Sequence, residues 1–109
     1  MYLIYFIIKR RKAMNKDEIE IMEDNISSVC DEIKELLIEK NKMYGNSFFR
    51  TLHEYGYTLI CVRLEDKLNR LKQIILKGIK DDKTDERLVD TITDLAGYAI
   101  LSKIFIETH

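Results

Sequence analysis

The stretch Arg63-Leu64-Glu65-Asp66-Lys67-Leu68-Asn69-Arg70-Leu71 lies in the middle of the longest unbroken helical pattern in the chain. Tyr57, Ile60, Cys61, Leu64, Leu68, Leu71 and Ile75 recur around it at steps of three and four, which places them on one face of an α-helix. At about 100° per residue, Arg63, Lys67 and Arg70 fall along one flank of that face, at the border between core and solvent. Three cations there are either side chains laying apolar stems on the core or one wall of an anion site.

Outward from this stretch the chain reads as all-α. It has 109 residues, 34% of them charged and 46% hydrophobic, with four glycines and no proline. That length suits one domain, and strand-and-turn folds need more punctuation than this. The expected architecture is a small bundle of three long helices with a short helix in the connection over 41–58. Residues 1–15 read as a peripheral N-terminal tail and 16–109 as a single helical domain. The apolar run at 1–8 is too short to cross a bilayer as a helix. Its charges follow the apolar residues, the reverse of a signal peptide, and Met14 opens a more ordinary sequence.

The first long helix is expected from Lys16 to Met43, with Ile19, Met22, Ile26, Val29, Ile33, Leu36 and Leu37 as its stripe. Asp17 and Glu18 suit its first turn and Lys40 and Lys42 its last. The row Glu32, Glu35, Glu39 reads as a solvated face beside Lys34. Gly45 is a natural left-handed stop. The aromatic, hydroxyl and amide groups of 41–58 mark that connection as a candidate binding segment, with a short helix from Phe48 to Glu54. The central helix runs from Thr58 to Lys77 and Gly78 closes it; Leu59 and Val62 lie off the main stripe, so its first half should be sandwiched. After the charged Lys80-Asp81-Asp82-Lys83, Thr84 is expected to cap a last helix over Asp85–Ile106. Its stripe is Leu88, Val89, Ile92, Leu95, Ala96, Ala99, Ile100, Ile104 and Phe105. This much unsatisfied apolar surface points to a homodimer or higher homo-oligomer.

Charge and cysteine usage narrow the chemistry. Of 18 basic residues four sit at 9–12, leaving 14 basic against 19 acidic residues elsewhere. A groove for nucleic-acid backbone carries a basic excess through the domain, so direct nucleic-acid binding is not expected. Cys30 and Cys61 read as small buried hydrophobes of a reducing compartment. His53 and His109 form no zinc spacing. There is no nucleophile elbow, Walker loop or dinucleotide fingerprint. A phosphate site must therefore be built from side chains on helices. Glu86, Asp90 and Asp94 recur every four residues, and antiparallel central and final helices would set Asp66 and Arg70 opposite Asp90 and Asp94. Carboxylates so placed suit Mg²⁺, with Lys and Arg holding phosphate oxygens. Asp94, just before Leu95 and Ala96, is costly to bury alone. It pairs either with such a metal or with Lys67 or Arg70.

Three segments together resemble a known family. Lys40-Asn41-Lys42-Met43-Tyr44-Gly45-Asn46-Ser47-Phe48, the central Arg63–Leu71 stretch, and Asp85 to Ala99 resemble the first type of nucleotide modification associated domain, found largely in bacteriophages and prophages. Order and spacing are similar over about residues 26–105. The family reads Lys-Asn-x-Asp-Tyr-Gly at the first motif, whereas this chain has Met43 in place of that Asp. The resemblance implies nucleotide or DNA base modification metabolism in the cytoplasm of an infected or lysogenic bacterium. The layout is also distantly similar to the all-α nucleotide pyrophosphatases of the MazG kind. Their paired acidic motifs are not reproduced: Glu32-x-x-Glu35 stands alone.

Three functions follow as expectations. One is a nucleotide phosphohydrolase with Mg²⁺ at Asp66, Asp90 and Asp94. Phosphate and base would then be held by Lys42, Tyr44, Gly45, Ser47, Arg63, Lys67, Arg70 and Tyr98. Another is a nucleotide binder without turnover, which the missing Asp at 43 favours. The third is a helical accessory protein that binds a host protein.

Overall fold

The computed structural model describes residues 15–78 and 81–109, so residues 1–14 of the expected N-terminal tail, Ile79 and Lys80 lie outside the described residues. The described residues form four α-helices and no strand: α1 (Lys16–Tyr44), α2 (Ser47–Tyr55), α3 (Thr58–Leu76) and α4 (Thr84–Thr108). The chain divides into two units, Met1–Lys34 and Glu35–His109, and α1 belongs to both. No helix among the described residues is long and apolar enough to cross a membrane.

The helix ends follow local chemistry. At the start of α1, the Glu18 N–H donates to Asn15 Oδ1 at 2.8 Å and the Asn15 N–H donates to the Glu18 carboxylate at 3.2 Å. This reciprocal capping box holds two donors that a bare helix start leaves unpaired. α1 ends where Gly45 turns left-handed at φ 58°, with Asn46 beside it at φ 59°. Glycine adopts that conformation freely and asparagine tolerates it better than other side chains. Arg50 reaches back from α2 to donate to the Gly45 carbonyl at 2.6 Å, and the Asn41 amide donates to Asn46. The turn between α1 and α2 is thus tied at both sides. Thr84 is the first residue of α4 rather than its cap, and its hydroxyl accepts the Asp81 N–H at 2.8 Å.

In the unit Glu35–His109 the core is small. Leu52 of α2, Leu59 of α3 and Phe105 of α4 are buried, with Phe48, Phe49 and Ile60 packed against them. Tyr57 and Phe105 meet at one end of the α3–α4 pair and Lys67 and Asp94 further along, so the two helices run antiparallel. The buried face of α3 differs from the expected stripe. Leu59, placed off that stripe, is buried, while Tyr57, Cys61, Leu68 and Ile75 are exposed. Val62 is exposed too, so the first half of α3 is covered on one side and is not sandwiched. α4 differs in the same sense: its buried residues are Thr91, Gly97, Ser102 and Phe105. Of the nine apolar residues expected to form its core stripe, Phe105 alone is buried.

Small residues allow the helices to approach closely, which explains this choice. A methyl group built on Gly97 would lie 3.1 Å from Leu37 Cδ2, so the Leu37 side chain of α1 is seated against the α4 backbone there. The hydroxyls of Thr91 and Ser102 turn inward and donate to carbonyls one turn back, at Arg87 and Tyr98. Such a bond satisfies a buried hydroxyl within its own helix. Both cysteines are exposed, against expectation. Cys30 lies on α1, which buries no residue, and Cys61 lies on the uncovered side of α3.

Candidate functional site

One charged residue from each of the three resembling segments meets at Asp94. Its carboxylate lies 3.1 Å from Lys67 Nζ of α3 and 3.8 Å from Lys40 Nζ of α1. One carboxylate from α4 therefore faces two ammonium groups from two other helices. The side chains of Lys67 and Asp94 are 26% and 34% exposed and that of Lys40 is 48% exposed, so the cluster sits at the surface and water reaches it. At that exposure the pairs contribute no more than about 1 kcal/mol each to stability. Their arrangement matters more than their strength.

Each member is placed by its helix. Lys67 rises from the flank of α3 that its periodicity predicts, with half-buried Arg63 one turn before it. Asp94 lies one turn before Tyr98 on α4, and Tyr98 packs on Phe48 of α2 with ring centroids 5.2 Å apart. The Gly97–Leu37 approach fixes where α1 crosses, and so sets Lys40 beside Asp94. The result is a shallow, cation-rich strip with an aromatic pair in its neighbourhood.

The expected site residues divide into three groups. Lys67 and Asp94 are brought together, and Arg63 and Tyr98 lie one turn from them. Lys42, Tyr44, Gly45 and Ser47 lie at the end of α1 and in the turn after it, all exposed. Arg70, Asp66 and Asp90 are exposed on α3 and α4. Among the described residues, no three carboxylate, thiol or imidazole groups come together in a metal-sized cluster. Mg²⁺ is the cofactor that the sequence suggested for Asp66, Asp90 and Asp94. The donor chemistry at Asp94 does not fit it well, because two ammonium groups already face the carboxylate and would repel a divalent cation. They suit an anion.

Lys40 is the member that the site expectation omitted. The signal was present: Ile19, Ile26 and Ile33 recur every seven residues on α1, and the next step of seven lands on Lys40. A cation in register with an apolar stripe asks for a partner on the facing helix, and Asp94 is that partner. Phe48, the ring beneath Tyr98, was quoted in the first motif and given no role. No family model, curated protein or solved structure matches this chain.

Proposed function

We propose that this protein binds a nucleotide or related phosphorylated small molecule on the strip formed by Lys40, Lys67 and Arg63. The observation that supports this reading is the placement of Lys40 and Lys67, from separate helices, on the two oxygens of Asp94. Two ammonium groups gathered on one carboxylate form a preorganised pair. A phosphate presents two or three oxygens to the same groups and can take over the role that Asp94 fills. Tyr98, seated on Phe48, offers a ring face for a base one turn away. The setting, by the resemblance described above, is nucleotide or base modification metabolism of phage type.

Binding without turnover fits these residues better than Mg²⁺-dependent hydrolysis, since the carboxylate best placed for a metal is engaged by lysines. The test is a panel of nucleoside mono-, di- and triphosphates, with and without Mg²⁺, read by thermal shift and by release of phosphate and pyrophosphate. A ligand that prefers the folded state raises the melting temperature. Asp94→Asn frees both lysines and is expected to tighten phosphate binding severalfold. Lys67→Ala is expected to abolish it. Mg²⁺-dependent product release lost in Asp94→Asn would replace the binder with a hydrolase. No stabilisation by any nucleotide would leave a protein-binding role in its place.

A further inference from the structure

Two uncovered apolar surfaces stand on this chain. The first is the stretch 16–34 of α1, where Ile19, Met22, Ile26 and Val29 are 44%, 49%, 57% and 51% exposed. They recur at steps of three and four over about 15 Å of helix. A helix with so regular a seam normally lies against something. The second is a groove of about 620 Å³ between α3 and α4, walled by Leu64, Leu68, Ile92, Leu95, Ala96 and Ala99, with Glu65 at its edge.

The spacing of the seam would allow two α1 helices to pair as a coiled coil, but its charges oppose that. Over 16–34 there are seven acidic and two basic residues, and Glu18 and Glu23 directly flank the seam. Two such helices side by side would set carboxylates against one another. The groove carries a single acid, Glu65, at its edge. Lys72 stands one turn beyond Leu68 and Lys103 one turn beyond Ala99, toward its opposite ends. Lys103 pairs with the exposed Glu107 of its own helix at 2.7 Å.

We infer that the chain pairs with a second copy of itself by reciprocal exchange, the 16–34 stretch of each protomer lying in the α3–α4 groove of its partner. The acidic flanks of the helix then meet Lys72 and Lys103, and both apolar surfaces are covered in one symmetric contact. The four seam residues each leave about half of their surface in water and the groove wall is apolar apart from Glu65, so the exchange removes apolar surface from water on both copies. The exchange makes no use of the anion strip, so the two can fail separately.

Sedimentation of the full chain should give twice the 13.0 kDa mass of a single chain. Ile26→Asp in the seam and Leu68→Glu in the groove, both at exposed positions, should each give the single-chain mass with helicity unchanged by circular dichroism. Mixing the two variants should restore the doubled mass, because one intact helix still finds one intact groove. A short bis-maleimide linker should join Cys30 of one copy to Cys61 of the other, since both thiols are exposed, one beside the seam and one a turn before Leu64. A single-chain mass at every concentration overturns the exchange. So does a dimer indifferent to Leu68→Glu, or a covalent dimer linked Cys30 to Cys30, which would mean that the acidic helices pair with each other.

Discussion

The two ends of the α3–α4 pair share the same helices and have opposite fates. At one end α2 lies over the pair, and Leu52, Leu59 and Phe105 are 1%, 8% and 5% exposed. Rings close around them: Phe49 meets Phe105 edge-on at 5.8 Å, and His53 meets it at 5.1 Å. At the other end no helix of the unit lies over the groove, and Leu68, Ile92 and Val89 are 46%, 53% and 63% exposed. Two amphipathic helices side by side bury little by themselves. A third element, here nine residues held back by the tied Gly45–Asn46 turn, makes the difference between core and groove.

The largest test of that contrast is a pair of truncations. Leu52→Ala, at the covered end, should cost about 2–5 kcal/mol. For a domain of this size each kilocalorie lowers the melting temperature by about 4–8 °C. Leu68→Ala, measured at low protein concentration, should cost less than about 1 kcal/mol, because nearly half of that side chain stays in water in the single chain. Equal losses by calorimetry would mean that the groove is covered even in the single chain.

Next in size is Gly97→Val. The added methyl groups must displace Leu37, and overpacking of this kind typically costs about 1–3 kcal/mol. Denaturant melts should show that loss together with weaker nucleotide stabilisation, because Lys40 moves with α1. Asp94→Asn, smaller still, should shift stability by less than about 1 kcal/mol. Its effect should appear in phosphate affinity, measured by calorimetric titration, rather than in melting temperature.

The smallest effect lies at the start of α4. The Arg87 guanidinium hydrogen-bonds Asp81 at 2.8 Å and, with the Lys83 N–H, holds its carboxyl below the usual range despite a slight opposing cost of desolvation. A carboxyl lowered in the folded state contributes stability above its unfolded pKa, near 4, and loses it as pH falls through the lowered value. Asp81→Asn should therefore remove a small part of the acid sensitivity of unfolding below about pH 4. The Asp81 side chain is half exposed, so the change should show only as a slight difference in slope.

Helix positions were legible in the sequence because periodicity and end chemistry agree. Expected spans of 16–43, 58–77 and 85–106 compare with Lys16–Tyr44, Thr58–Leu76 and Thr84–Thr108. The buried faces were not legible. A stripe of large apolar residues says which face seeks cover, but close packing selected the small ones, Thr91, Gly97 and Ser102, and left Ile92 in the groove. For Asp94 the residues allowed a metal, Lys67 or Arg70 as partner, and Lys67 is the one that the fold brings to it. The heptad step on α1 pointed to the face that carries Lys40, but that its partner is Asp94 of α4 is a tertiary fact that no single-helix pattern contains.

The absence of a side chain at Gly97 has a consequence beyond packing. It gives the Leu37 side chain its seat on α4, and a Coulombic contact three residues away depends on how α1 is held there. A purely steric substitution here would act as an electrostatic one, detuning the strip while leaving every charged residue in the chain unchanged.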